Sequence, residues 1–433
     1  MNLKFFAPTK HKEKTIPKLS QIEFVVLMAM MISLVAMSID SMLPALEQIG
    51  NDLGSTHPND NQLVIAALFF GFAVGQLFFG PLSDSTGRKP AIVIGLILFS
   101  IGCIQSYLAQ DFNSMLIGRF VQGLGVASPR TVSSALIRDL YSGANMARMM
   151  SLIMSVFVLV PVIAPAVGQG IIAISNWRMI FAILLLMALV VLVWFKQRQP
   201  ETLAKNRQHP FSTKRIAVVF KVTCLNRITI GYTVISGLVF GAFSGYLISS
   251  QQILQIQYKL GDQFPIYFGG LALCIGAATL TNSRLVMRFG MYHLTTIALY
   301  TKTLISIGFL IYMYTSSGSL SFVGLMIWGG TSFFCVGILF GNTNSLAMEP
   351  MGHQAGVAAS VVGAISSFLA IILGTTIGQL YNGDVIPLIS GFAILGTLSI
   401  VIAHWSEKGR INQDLAFIAT HRQLPNLRIR DKK

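Results

Sequence analysis

The chain has 433 residues, 53% hydrophobic and only 11% charged, with a mean hydropathy of +0.67. Soluble domains carry about 25% charged residues and disordered chains are more polar still, so both classes are excluded. The net charge of +15 does not indicate a nucleic-acid partner, because its bases lie between apolar runs, as membrane topology signals do. Those runs, such as Ile92–Ile104 and Phe181–Phe195, are unbroken and do not alternate as the strands of a β-barrel would.

In chain order, residues 1–23 hold Lys4, Lys10, Lys12, Lys14 and Lys18 and read as a retained cytoplasmic tail. A membrane helix needs about 20 mostly apolar residues. That rule predicts spans at 24–44, 62–82, 90–109, 114–138, 149–171 and 178–195, then at 228–249, 265–282, 292–314, 320–347, 356–380 and 387–405. The expected fold is an all-α membrane protein of twelve helices in two six-helix bundles, 24–195 and 228–405. Between them, residues 196–227 carry Lys196, Arg198, Lys205, Arg207, Lys214, Arg215, Lys221 and Arg227 and read as a cytoplasmic linker. Residues 406–433 form a basic cytoplasmic tail. Arg88, Lys89, Arg138, Arg148, Arg284 and Arg288 fall on the same side as the linker, whereas the other side holds little more than Arg178 and Lys259. This asymmetry places both termini inside.

The halves resemble each other: Pro81–Pro90 corresponds to Asn282–Gly290, and Ser134–Asp139 to Asn344–Glu349. Parallel repeats of this kind are the logic of many secondary transporters. Cys103, Cys224, Cys274 and Cys335 show no metal-ligand spacing and read as free thiols. Without a P-loop or a histidine cluster, the sequence supports neither an enzyme nor a cofactor or metal site.

Gly80–Pro90 reads GPLSDSTGRKP, a tight turn held inside by Arg88 and Lys89. It matches the G-x-x-x-D-x-x-G-R-[RK] loop of the major facilitator superfamily. Ser38–Leu46 (SIDSMLPAL), Gly118–Gly123 (GRFVQG) and Ala135–Tyr141 (ALIRDLY) resemble elements of its bicyclomycin/chloramphenicol-resistance (Bcr/CflA) drug:proton antiporters. The likeness covers roughly residues 22–405. It implies the fold, residence in a bacterial plasma membrane and alternating-access transport. It also makes Asp84, Gly87, Arg88, Lys89 and Asp139 an inner-gate cluster. The antiporter-type element of the fifth helix is represented by Pro161, Pro165 and Gly168; Gln169 departs from it by replacing a glycine.

Four charges lie well inside predicted spans: Asp40, Arg119, Arg130 and Lys302. Each is costly there unless paired or hydrated. Asp40 is the sole acid well inside a span and is the expected proton carrier. It lies six residues past the midpoint of 24–44, about 9 Å, and Arg119 lies at a similar level, so the two are expected to pair. Arg130 lies about 16 Å deeper, facing the cavity or the inner-gate cluster. Lys302 is either a cavity residue or a lysine packed in its bundle or snorkelling. Gln122, Arg130, Tyr246, Lys302 and Asn344 are the candidate substrate contacts; Tyr246 and Asn344 rank higher because helices seven and ten line the cavity in the superfamily.

The expected function is proton-coupled export of a small molecule by a monomer. One deep acid against three bases favours a neutral or anionic substrate. The alternatives are a transporter of a specific metabolite, such as a carboxylate siderophore, possible in the inward direction, and a non-transporting membrane sensor.

Overall fold

The computed structural model describes residues 19–208, 210–316 and 320–422. The lysines from Lys4 to Lys18 and the bases from Arg428 onward lie outside the described residues, as do the side chains of Arg215, Arg410 and Arg422. All regular structure among the described residues is helical.

The first span opens at Ser20, whose hydroxyl accepts the Glu23 N–H and caps α1 (Gln21–Asp40). A short 3₁₀ turn (Leu43–Ala45) with Pro44 in it separates α1 from α2 (Leu46–Leu53). The first predicted span is therefore broken at its outer third, directly after Asp40. Next come α3 (Leu63–Thr86), α4 (Arg88–Tyr107), α5 (Phe112–Leu140), α6 (Gly143–Ile174) and α7 (Arg178–Arg198). The predicted linker is not plain coil, because it contains α8 (Thr213–Leu225). The second half comprises α9 (Arg227–Gln251), α10 (Phe264–Phe289), α11 (Met291–Thr315), α12 (Phe322–Met348), α13 (Ala355–Gln379) and α14 (Ile386–Arg422). A π-helical turn, Gln252–Gln257, extends α9.

Eleven of these segments are long and apolar enough to cross a membrane. The twelfth, α5, is enriched in glycine, serine and arginine, yet packs closely on α3 and α4. Its small residues permit this: a side chain at Gly123 would collide with the Leu68 backbone. The chain is a multi-pass membrane protein.

The spanning helices of each half pack mainly among themselves, and two seams join the halves: α3 on α13 and α6 on α10. The repeat seen in sequence is present in the backbone. α3 turns into α4 on Gly87 (φ +104°), and α10 turns into α11 on Gly290 (φ +78°). Both residues sit where a side chain is strained, so glycine is required for a one-residue reversal. All four cysteines are free.

Candidate functional site

Three layers can be followed along the seams from the basic end of the bundle to the opposite end.

At the basic end, the tight turn is organised by Arg88. Its Nη1 donates to Asp84 Oδ1 at 2.5 Å and to Ser83 Oγ at 2.8 Å, and its Nε donates to Asp139 Oδ2 at 2.9 Å. The structure thus brings together the Asp84–Arg88–Asp139 cluster expected from sequence. A partner that was not expected is Glu201, just past the end of α7. Its carboxylate accepts the backbone N–H groups of Arg88 and Lys89, each at 2.9 Å, and those of Thr202 and Leu203. An acid at the start of α4 meets the positive end of that helix. Lys89 contributes its backbone here. Further along the linker, α8 lies on α13, with Val219 buried against Met351, Val357 and Val361.

The middle layer holds Asp40, the last residue of α1 and only 4% exposed. The expected Asp40–Arg119 ion pair does not form. Arg119 is wholly buried and donates from Nη2 to Ser38 O (2.8 Å), from Nε to Val64 O (3.0 Å) and from Nη1 to Gln122 Oε1 (2.5 Å). Its guanidinium also lies over the Phe181 ring. The end of α1 leaves carbonyls without intrahelical partners, and the planar fork of Arg119 supplies donors to one of them. Arg119 therefore fixes the backbone beside Asp40 rather than neutralising its carboxylate. Gln122, a candidate substrate contact, is occupied in the same network and donates to Cys103 Sγ at 3.0 Å.

Pro161, Pro165 and Gly168 lie on α6, where it packs against α1 and the 3₁₀ turn. At Gly168 a Cβ would run into the backbone of Ser41. The antiporter-type element thus grips the break in the first span one residue after Asp40. Gln169, the departure from the pattern, donates across the α6–α10 seam to Asp262 Oδ1 at 2.9 Å.

Across the seam, α9 packs on the 3₁₀ turn that follows Asp40 and carries the buried Tyr246. Its ring is set by Phe333 (centroids 4.6 Å apart) and Phe268 (5.8 Å). Phe243 and Phe340 extend this aromatic wall, and Phe240 carries it to Phe69 on α3.

The other candidates lie elsewhere. Lys302 does not snorkel: it is wholly buried within the C-terminal half, 5.3 Å from the Phe392 ring centre. Arg130 lies over Phe157 of α6. Asn344 is exposed, eleven residues along α12 from Phe333, about 16 Å along the helix from the ring that sets Tyr246. These three are not brought to Asp40.

The third layer was missed by sequence reasoning. At the end opposite the basic one, uncharged amides clasp the two halves. Asn59 Nδ2 donates to Gln379 O (3.0 Å) and Tyr381 O (2.9 Å), while Gln379 Nε2 returns a bond to Asn59 O (2.9 Å). Gln62 Nε2 donates to Gly378 O (3.1 Å) and to Gln252 Oε1, and Gln252 Nε2 donates to Asn59 Oδ1 (2.9 Å). A further bond, Gln76 Nε2 to Ser367 Oγ, crosses midway. The molecule is closed at that end. The available signal was the recurrence of Asn and Gln near one end of the second, seventh and eleventh spans. A groove of about 620 Å³ beside the clasp, lined by Leu63, Ala66, Phe70, Leu116, Ile372 and Thr376, is almost entirely hydrocarbon and includes neither Asp40 nor Tyr246.

Twelve helices in two packed halves around a buried carboxylate define a membrane transporter of the two-bundle type. A family model of the Major Facilitator Superfamily matches residues 26–375, and the chain belongs to that superfamily. It is 28% identical over 359 residues to the MFS-type transporter YdgK of Bacillus subtilis, covering 81% of this chain and 87% of the relative. It is also 28% identical over 385 residues to a bicyclomycin resistance protein homolog of Haemophilus influenzae, covering 87% and 94%. These relatives agree with the Bcr/CflA likeness. Among solved structures, the human organic anion transporter MFSD10 superposes with TM-score 0.64 at 16% identity, covering 90% of this chain and 100% of that one. A D-xylose–proton symporter superposes with TM-score 0.66 at 14% identity, covering 89% and 97%. Those two likenesses show the fold.

Proposed function

We propose that the chain exports a small neutral molecule in exchange for protons, with Asp40 as the exchanging group. The observation that carries this reading is the placement of Asp40: it is buried at the break in the first span and, among the described residues, makes no hydrogen bond or ion pair. A buried carboxylate without a partner is costly when charged, so it is suited to alternate between holding a proton and holding a ligand. The names of the Haemophilus relative and of multidrug resistance proteins similar to this chain support export. A neutral substrate is preferred over an anion. Arg119 is committed to backbone and Gln122, while Lys302 and Arg130 lie elsewhere, so the cation surplus read from sequence does not surround Asp40. One chain supplies both sides of the site, so a monomer suffices.

The basic end is read as cytoplasmic, in a bacterial plasma membrane with both termini inside. The clasp then closes the outer side, and the Asp84–Arg88–Asp139 cluster is the inner latch. Asp84→Asn is expected to slow turnover more than it weakens binding and to populate the inward-open state. Unchanged distances between labels on the inner loops would refute the latch.

The direct test uses everted membrane vesicles and bicyclomycin as the first probe. Accumulation that collapses when the pH gradient is dissipated supports proton-coupled export. Accumulation indifferent to the gradient contradicts it.

A further inference from the structure

The hydroxyl of Tyr246 is buried and has no hydrogen-bond partner among the described residues, although buried polar groups are nearly always paired. Asp40, whose carboxylate is likewise buried and without a partner among the described residues, ends the helix that leads into the 3₁₀ turn on which α9 packs. The two belong to different halves, Asp40 to α1 and Tyr246 to α9. Each is rigidly carried. The end of α1 is held by Arg119 through Ser38 O and pressed by α6 at Gly168, and the Tyr246 ring is wedged between Phe333 and Phe268. Two unpaired polar groups held on either side of a seam are suited to meet one ligand between them.

We propose that Tyr246 closes the exchange site from the C-terminal half and reports the state of Asp40 to it. With Asp40 ionised, the position takes a neutral ligand's hydroxyl or amide, donating to the carboxylate and accepting from the Tyr246 O–H. A flat apolar body beside that group suits the aromatic wall of Phe240, Phe243 and Phe340. When a proton adds to Asp40 the ligand leaves, and the new carboxylic O–H donates to the Tyr246 oxygen. That bond draws the two halves together beneath the outer clasp. Tyr246 is thus a positioning residue, and the proposal rests on the reading of Asp40 as the exchanging group.

The charged and titratable groups facing this position are few. From α5 there are Arg119, whose donors are committed as described, and Arg130, eleven residues further along and over Phe157, and from α9 there is Tyr246 itself. The ionisable residues of α3, α6 and α7 (Asp84, Arg148, Arg178, Lys196 and Arg198) all lie toward helix ends. A pH response of the seam at this depth therefore arises at Asp40.

The test needs no identified ligand. Spin labels are placed on exposed positions at the clasped end, one per half, as Asn51→Cys and Asn382→Cys in a Cys224→Ser background. Their distance distribution is recorded in detergent or nanodiscs from alkaline to acidic buffer. In the otherwise unaltered protein, acid should shift the open-to-closed ratio toward closed by about threefold to tenfold, the size of one buried hydrogen bond. Tyr246→Phe keeps the ring packing and removes only an unpaired oxygen, so the variant should fold and melt no lower than its parent. It should also lose the pH shift, as Asp40→Asn should. If Asp40→Asn loses the shift and Tyr246→Phe keeps it, the role of Tyr246 is overturned while Asp40 stands. If Asp40→Asn keeps the shift, the reading of Asp40 fails first. A pH-independent distribution in the unaltered protein overturns the proposal outright.

Discussion

Asp40→Asn should abolish accumulation of substrate against its gradient while leaving ligand exchange across a vesicle membrane without a gradient measurable. Asparagine keeps the size and hydrogen-bonding ability of the residue but cannot release or take a proton at neutral pH. Net movement uphill requires the carrier to return with a proton in place of ligand, and that step is removed. Passive exchange requires only that ligand bind and the halves rock, so it is retained. The loss should be complete rather than graded, because no second acid lies well inside a span: the other acids of the described spans sit toward the ends of those spans. Uphill transport by Asp40→Asn at the rate of the unaltered protein would refute the assignment.

Arg119→Met should be the most destabilising of the substitutions considered. It leaves Ser38 O and Gln122 Oε1 without the donors they now have, deep in the N-terminal half. Each orphaned buried acceptor costs about 1–3 kcal/mol. Lysine should not rescue it, because a single ammonium cannot reproduce a planar fork spread over three acceptors on α1, α3 and α5. A fall in the melting temperature of detergent-solubilised protein for both Arg119→Met and Arg119→Lys is expected. A stable Arg119→Met that only changes pH dependence would instead favour the direct Asp40–Arg119 pairing read from sequence.

That misreading has a physical cause. Unbroken apolar runs give the depth of a residue along its helix, and depth was well predicted: Arg119 does lie at the level of the Asp40 turn, since it bonds to Ser38. Rotation about the helix axis was not available. A membrane helix is apolar on every side, so no amphipathic stripe marks which face meets a neighbour. Hence the structure, and not the sequence, decides that Arg119 faces the Ser38 carbonyl and that Lys302 faces Phe392. Asn344 shows the complementary limit, since its helix carries Phe333 and Phe340 but its own side chain is exposed. The tight turn after α3 was legible because Gly87, Arg88 and Asp84 act through local backbone geometry and charge, and Asp139 because it ends the predicted span next to it. Glu201 and the amide clasp were not, because both arise from contacts between segments far apart in the chain.

If proton and ligand compete for Asp40, ligand binding must release protons. Purified protein in weakly buffered solution, near neutral pH, is mixed with a ligand shown to be transported in the vesicle assay, and the medium is followed with a pH-sensitive dye. The unaltered protein is expected to release protons as ligand saturates it, and Asp40→Asn to bind ligand without release. Saturating binding with no proton release in the unaltered protein, or equal release from Asp40→Asn, would contradict it.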